Sequence, residues 1–360
     1  MRTSRLVVVG GFLGAGKTTL LTQAARHLID RGYQVGVVTN DQGSNLVDSA
    51  LLAGHGLSVA EVAGSCFCCA FPDLVEALSQ LTVNTQPDII LAEPVGSCTD
   101  LVSTVLRPLT TYFPGQYEVA PLSVVADATR DRRTLSPNVA YLFERQLEEA
   151  EILLLNKVDL LDSDTLAQQE AALHISYPEA RCLHLSAQTG AGVDAWLDIV
   201  LGLVSTSRRS MVVDYERYAD AEAELAWLNV EGVVRASKPF SGRGWTVHLL
   251  DKLTQLLGEA SIAHIKAHVT SPQATFKVSI TQTGAAPSWD VETPDIPTEE
   301  LDFTLNARVS LDPPSLQQAV QRSIEVSRPD PMARYYLTHA ECFRPLPPRP
   351  THRLTGAIQP

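Results

Sequence analysis

The first apolar run of the chain leads into a glycine-rich segment that constrains the fold more than any other feature. Leu6–Val9 is followed by Gly11-Phe-Leu-Gly-Ala-Gly-Lys17-Thr18, and apolar residues recur at helical spacing from Lys17 to Arg31. Glycines in such a turn let successive N–H groups point at phosphate oxygens, at a helix end whose dipole favours anions. The segment predicts a P-loop between a buried strand and a helix.

Strand-like and helical segments alternate from residue 5 to about residue 205. The apolar runs predict strands at Leu6–Val9, Gln34–Thr39, Leu57–Val62, Asp88–Ala92, Leu122–Ala126, Ile152–Leu155 and Arg181–Leu185. This alternation is typical of parallel βαβ units, and near-continuous apolar strands indicate a sheet that is covered on both faces. We therefore predict an α/β fold with a doubly wound, mostly parallel sheet.

The pattern changes after residue 205, which predicts a second domain. Small and charged residues at Ser205–Ser210 mark the junction. Beyond it, predicted helices at Val247–Leu257 and Ser315–Val326 accompany a hairpin from Ile262 to Ile280, which indicates a smaller α+β domain. Six prolines between Pro329 and Pro350 predict an extended tail. The expected units are a P-loop domain over 1–207, an α+β domain over 211–326 and a Pro-rich tail over 327–360.

Most residues of the predicted P-loop have an expected contact with a bound nucleotide. Lys17 is expected to reach the β and γ phosphates, and the Thr18 hydroxyl to bind Mg²⁺. The backbone N–H groups of the loop are expected to cradle the phosphates. The remaining members of this phosphate site are Gly11, Gly14, Ala15, Gly16 and Thr19.

A second motif indicates which nucleotide is bound. Asn156-Lys157-Val158-Asp159 follows the predicted strand Ile152–Leu155, at the sheet edge where doubly wound folds bind ligands. The Asp159 carboxylate can accept hydrogen bonds from N1 and N2 of guanine, and adenine has no such pair of donors. Ser186-Ala187 follows the next strand and offers a backbone N–H for O6 of guanine. These elements favour GTP over ATP.

Two acidic residues at strand ends are candidates for the loops that respond to the γ phosphate. Glu93, in Glu93-Pro94-Val95-Gly96, follows the predicted strand Asp88–Ala92, and we expect it to hold Mg²⁺ through water. We expect the Gly96 N–H to sense the γ phosphate. Asp41, at the end of the second strand, is the candidate for the first switch loop. We expect Mg²⁺-assisted attack of water on the γ phosphate, with Lys17 and loop N–H groups stabilising the charge that develops.

Three of the six cysteines, Cys66, Cys68 and Cys69, lie within four residues. Three thiols this close cannot all pair with one another, but in one loop they can converge on a thiophilic ion such as Zn²⁺ or Cu(I). The isolated Cys98 fits an interpretation as a buried structural residue. Three thiolates leave the fourth tetrahedral position of such a site unassigned. It is either open or filled by a ligand from a second subunit, by Asp41 or by a histidine.

Five segments of the chain match the motifs of one family: Gly11–Thr19, Gly64–Cys69, Glu93–Gly96, Val124–Asp127 and Asn156–Asp159. Together they resemble the CobW-type GTPases, metallochaperones related to the GTPases that deliver nickel to urease and hydrogenase. The resemblance implies Zn²⁺ or Co²⁺ at the cysteines and a GTP cycle that gates metal release to a client. In the first switch, many members have Asn-Glu-Phe-Gly where this chain has Asn-Asp-Gln-Gly, so Asp41 matches only in part.

The charge and apolar content of the chain indicate which partners it can bind and where in the cell it is expected. The formal net charge of −13 argues against a nucleic acid partner, because binding the phosphate backbone needs a basic surface. No run of about eighteen apolar residues is present, and the apolar stretch near the N-terminus is too short for a signal peptide. We therefore expect no contact with a membrane and a location in the cytoplasm, where the cysteines stay reduced.

The leading hypothesis from sequence is a GTP-hydrolysing metallochaperone that binds Zn²⁺ or Co²⁺ at the three cysteines and delivers it to a client metalloprotein. Two alternatives stay open. One is a regulatory GTPase that gates a corrinoid or other metalloenzyme, with the cysteines at the protein interface. The other is a P-loop kinase that phosphorylates a small molecule and prefers ATP. Whether the chain forms a homodimer is also left open.

Overall fold

The computed structural model describes residues 3–41, 57–205 and 211–355, and within them the chain forms two sheets. The strands of the first sheet are β1 (Ser4–Gly11), β2 (Val35–Asp41), β3 (Ser58–Ala63), β4 (Ile89–Glu93), β5 (Tyr117–Val119), β6 (Ser123–Asp127), β7 (Ile152–Asn156) and β8 (Arg181–His184). Their order is β3-β2-β4-β1-β6-β7-β8, with β5 paired to β1. All of these pairings are parallel, which confirms the predicted sheet.

Helices cover both faces of this sheet. They are α1 (Lys17–Asp30), α2 (Phe71–Thr85), α3 (Arg107–Tyr112), α4 (Pro137–Glu148), α5 (Ser163–Ser176) and α6 (Val193–Gly202). Successive residues of a strand point to opposite faces. Val7 and Val9 of β1 accordingly pack in one apolar layer with Leu21 of α1 and Trp196 of α6. Leu6 and Val8 pack in the other layer, with α2 and α4.

The second sheet is antiparallel, and it confirms the predicted α+β domain. Its strands are β9 (Ala226–Phe240), β10 (Ile262–Thr270), β11 (Thr275–Ile280), β12 (Ser288–Glu292), β13 (Thr298–Val309) and β14 (Arg334–Phe343), in the order β12-β11-β10-β13-β9-β14. The accompanying helices are α7 (Tyr215–Ala223), α8 (Gly242–Leu257) and α9 (Pro313–Val326). Leu253 of α8 and Leu316 of α9 share a core with Leu305 of β13.

Two segments differ from the sequence expectation. Tyr218 and Ala221 of α7 are buried in the apolar cluster of the first domain, beside Leu142 and Phe143, although this stretch was assigned to the second domain. Strand β14 lies inside the segment that was expected to be an extended tail, and it pairs with β9. The prolines flank this edge strand and do not interrupt it, so its ladder N–H groups are retained. Among the described residues, no helix is long and apolar enough to cross a membrane.

Candidate functional site

The glycine-rich segment forms a tight turn between β1 and α1. Gly11 and Gly16 have φ angles of 134° and 96°, which side chains rarely allow. A Cβ added to Gly11 would lie 2.4 Å from the carbonyl oxygen of Val125, and one added to Gly16 would lie 2.4 Å from Nδ2 of Asn156. Both positions therefore require glycine, and the turn leaves the N-terminus of α1 facing a cavity.

Lys17, Thr18 and Glu93 are buried together at this turn. Thr18 Oγ1 donates a hydrogen bond to Glu93 Oε1 over 3.0 Å, and Lys17 Nζ lies 3.9 Å from the same carboxylate oxygen. A hydroxyl and a carboxylate oxygen side by side form a donor set that fits Mg²⁺, which prefers hard oxygen ligands. The two residues predicted to hold Mg²⁺ are thus adjacent.

The loop after β4 runs from Glu93 along the P-loop. A Cβ added to Gly96 would lie 3.1 Å from Lys17 Nζ and 3.2 Å from the Cα of Leu13. Gln146 of α4 donates hydrogen bonds to the carbonyl oxygens of Gly96 and Cys98, over 2.9 Å and 2.8 Å. The buried amide of Gln146 therefore fixes this loop between the P-loop and α4, a role that sequence analysis did not find.

Asn156 ties the two ends of the predicted nucleotide site together. Its Nδ2 donates to the carbonyl oxygen of Ala15 over 2.8 Å, and its Oδ1 accepts from the Ala187 N–H over 2.9 Å. The Ser186 N–H donates to the carbonyl oxygen of Ala191. The backbone N–H groups of Ser186 and Ala187, one of which was expected to meet guanine O6, are thus both engaged within the protein. Lys157 forms an ion pair of 2.6 Å with Asp127.

One cavity between the two domains joins most of the predicted nucleotide residues. Asp159 and Lys17 both line it. The predicted residues on its wall are Gly14, Gly16, Lys17, Thr18, Thr19, Glu93, Asn156, Lys157, Asp159 and Ala187. The side chain of Asp41 and the loop after it lie outside the described residues, so the predicted first switch has no structural description.

The three clustered cysteines converge in the turn that precedes α2. The Sγ atoms of Cys66 and Cys68 are 2.7 Å apart, those of Cys68 and Cys69 are 3.7 Å apart, and all three lie within 4.8 Å of one another. A Zn–S bond of about 2.3 Å in a tetrahedral site places sulfurs about 3.8 Å apart. The arrangement therefore fits a thiophilic divalent ion after a small widening.

The thiols of this cluster hold their protons unevenly. Hydrogen bonds from Cys68 and Cys69 lower the pKa of Cys66. The same bond to Cys66, together with burial, raises the pKa of Cys68, and donation to Cys66 raises the pKa of Cys69 to about 11. The cluster thus concentrates thiolate character at Cys66, and the thiolate is the form that binds metals.

Cys98, which was interpreted as isolated, lies beside the cluster of three cysteines. Its side chain is buried, and it lies near enough to Cys66 and Cys68 to influence the pKa of both thiols. The cysteine loop follows β3 and Cys98 follows β4, and both of these strands pair with β2. Only the order of the strands could have revealed that Cys98 lies there, because parallel strands that share a neighbour end at the same edge of the sheet.

Asn40, at the end of β2, positions the cysteine loop and was not found by sequence analysis. Its Oδ1 accepts a hydrogen bond from the Phe67 N–H over 2.8 Å. Its Nδ2 donates to the carbonyl oxygens of Val62 and Ser65, over 2.8 Å and 2.7 Å. The buried amide therefore fixes the backbone on both sides of Cys66.

The segment that follows β14 lies over the cysteine loop. The Thr351 N–H donates to the carbonyl oxygen of Cys68 over 2.9 Å, and the Arg353 side chain forms an ion pair of 2.7 Å with Asp100. A cavity remains beside the thiols, and Cys69 and Arg349 lie on its wall. We call residues 344–355 the tail segment.

Comparison with known proteins agrees with this geometry. The family described as CobW/HypB/UreG, nucleotide-binding domain, matches residues 5–183. The first domain belongs to this family. The zinc chaperone CobW of Pseudomonas aeruginosa is 30% identical to this chain over 214 residues, which cover 49% of this chain and 54% of that protein. The zinc chaperone YeiR of Escherichia coli is 37% identical over 95 residues, 26% of this chain and 28% of that protein.

A solved structure also resembles the CobW-type domain. HypB from Helicobacter pylori, in complex with nickel, aligns with 59% of this chain and 93% of its own, at 15% identity and a TM-score of 0.43. The match to the curated CobW protein spans about half of its length. The CobW-type domain of this chain combines the family's P-loop with the cluster of cysteines, as the sequence resemblance implied.

Proposed function

We propose that this protein is a GTP-hydrolysing metallochaperone. It binds a thiophilic divalent metal, Zn²⁺ or Co²⁺, at Cys66, Cys68 and Cys69, and it delivers the metal to a client metalloprotein under control of the GTP cycle. The names of its relatives, which include zinc chaperones, support a metal as the cargo.

One observation carries the proposal: the loop from Glu93 to Cys98 connects the nucleotide cavity with the thiol cluster. Gly96 packs against the P-loop near Lys17, and two residues later the buried Cys98 side chain lies near enough to Cys66 and Cys68 to influence the pKa of both thiols. We expect a γ phosphate that pulls on the Gly96 N–H to move Cys98 and, with it, the surroundings of Cys66 and Cys68. The nucleotide state and the geometry of the metal site are coupled through one short loop.

In this proposal, the residues around Lys17 carry out the hydrolysis of GTP. Thr18 and Glu93 would hold Mg²⁺, which neutralises charge on the β and γ phosphates. Lys17 and the P-loop N–H groups stabilise the charge that develops as water attacks the γ phosphate in line. Asp159 selects guanine, and Asp41 acts in the first switch loop.

The test is the affinity for zinc in the two nucleotide states. Zn²⁺ is titrated in competition with a chromophoric chelator, with Mg²⁺ and either GDP or a non-hydrolysable GTP analogue present. We expect the dissociation constants to differ about tenfold, a coupling free energy of about 1.4 kcal/mol. The variant Cys68→Ser should lose tight binding, whereas the control Cys182→Ser should retain it. Equal affinities in both nucleotide states would contradict the proposed coupling.

A further inference from the structure

The cavity above the P-loop has a wall that belongs to the second domain. Residues from β10, β11 and β12 line it, among them Lys266, Lys277 and Ser279. Lys266 lies opposite Ser279 in the register of β10 and β11, and Lys277 is two residues from Ser279. Because side chains alternate between the faces of a strand, all three project from the same face of the sheet, which is the face turned to the cavity.

This wall is fixed against the P-loop by contacts on both sides of the domain boundary. A Cβ added to Gly14 would lie 2.8 Å from Cγ2 of Thr281, which follows β11. The buried guanidinium of Arg130 donates to the carbonyl oxygen of Leu13 over 2.8 Å and to that of Ala263 over 3.2 Å. One side chain therefore bonds both the P-loop and β10, and the position of the lysines relative to the P-loop is defined.

The charges on the wall suit a polyanion. Of the described residues that line the cavity, four are lysines and three are acids: Lys17, Lys157, Lys266, Lys277, Glu93, Asp159 and Asp290. Two of the acids have proposed roles with Mg²⁺ and guanine. Lys157 is paired with Asp127, which leaves Lys17 of the P-loop and the two lysines of the second domain as the cations that face a bound polyanion.

We propose that Lys266 and Lys277 bind the phosphate groups of GTP, so that the second domain completes the nucleotide site within the same chain. The inference rests on the proposed function, because it takes GTP to be the ligand of the cavity. Lys277 is 1% exposed, so its ammonium meets the phosphates where water does not screen the attraction. In other GTPases a comparable positive charge is an arginine supplied in cis or by a partner protein, and it accelerates hydrolysis.

The test compares the variants Lys266→Met and Lys277→Met with the control Lys238→Met, which changes an exposed lysine of the same domain. Methionine keeps the length of the side chain and removes its charge. We expect each cavity variant to bind GTP about tenfold more weakly and to hydrolyse it more slowly, with a smaller loss for GDP and almost none for GMP. The control should match the unsubstituted protein. Variants that bind zinc with unchanged stoichiometry are folded and can be interpreted.

The outcomes separate this inference from the proposed function. If the unsubstituted protein bound no GTP, the proposed function would fail before the lysines were tested. If it bound GTP and both cavity variants bound it equally well, the role of the lysines alone would be overturned. Equal losses for GTP, GDP and GMP would also overturn it, because the lysines would then act on the nucleoside or the α phosphate, which all three share, and not on the β and γ phosphates.

Discussion

The backbone N–H of Arg349 donates a hydrogen bond to the Sγ atom of Cys69 over 3.1 Å. Two residues later the Thr351 hydroxyl donates to the carbonyl oxygen of Cys69 over 2.9 Å. The tail segment thus bonds the cysteine loop through both a sulfur and the backbone. An N–H aimed at sulfur favours the thiolate over the thiol. Access to the cluster from solvent therefore depends on where the tail segment lies.

We predict that Arg353→Ala makes the cysteines of the metal-free protein react faster with a thiol reagent. Arg353 holds the tail segment through its ion pair with Asp100, whose side chain is 1% exposed. Removal of the guanidinium leaves that buried carboxylate with one cation fewer, so the tail segment is held less firmly over the cysteine loop. If this contact loses about 1.4 kcal/mol, we expect the cysteines to react roughly tenfold faster. The absorbance of the coloured thiol that the reagent releases measures the rate.

The control for this experiment is Arg322→Ala, which removes an exposed arginine of α9 far from the cysteine loop. Its reaction rate should equal that of the unsubstituted protein. An equally slow reaction in Arg353→Ala would mean that the tail segment does not restrict access to the thiols.

We predict that Asn40→Ala weakens zinc binding although Asn40 has no proposed contact with the metal. Its amide makes three hydrogen bonds to the backbone around Cys66, at 2.7 to 2.8 Å. Residues that orient metal ligands typically change affinity by about 10- to 100-fold when they are removed. The stability should fall by about 2 kcal/mol, because buried backbone groups lose their partner. Zinc competition and urea unfolding measure the two effects.

The matched control is Asn84→Ala at the exposed end of α2. It should leave both the zinc affinity and the urea midpoint unchanged. If Asn40→Ala lowered the stability alone, the cysteine loop would not need this amide in order to bind zinc.

The first domain was predictable from sequence because its central strands are buried on both faces. Such strands carry continuous apolar runs, and Leu6–Val9 and Ile152–Leu155 were recognised in this way. The P-loop was predictable because its glycines are required by backbone geometry at Gly11 and Gly16. Local pattern and local conformation agree at these positions, so no knowledge of distant contacts was needed.

The remaining features depend on contacts between distant parts of the chain. Cys98 joins the thiols only because β3 and β4 flank β2, and strand order is not encoded in either loop. Strand β14 is an edge strand with many exposed residues, so its apolar pattern is weak. In the sequence, Lys266 and Lys277 cannot be told from other lysines of a strand. Only the arrangement of the two domains brings them to the cavity above the P-loop.

We predict that Asp159→Ala removes the preference for guanine over adenine nucleotides. The carboxylate is the group proposed to accept two hydrogen bonds from the base, and paired hydrogen bonds of this kind discriminate by about 1–3 kcal/mol. The ratio of the GTP and ATP dissociation constants, measured by competition with a fluorescent nucleotide, should fall toward one. Asp164→Ala, on the first turn of α5, is the control and should keep the ratio. A preference for ATP in the unsubstituted protein would favour the kinase alternative.

We predict that Cys98→Ala leaves zinc bound and removes most of its dependence on the nucleotide. Cys66, Cys68 and Cys69 remain to hold the metal, whereas the loop from Glu93 loses the thiol that lies beside them. The ratio of the zinc dissociation constants with GDP and with the GTP analogue should therefore fall from about ten toward one. Cys182→Ala is the matched control, because its thiol lies on β8 and it should keep the full ratio. An undiminished ratio in Cys98→Ala would mean that the nucleotide acts on the cysteine loop by another path, of which the first switch after β2 is the alternative in the CobW-type domain.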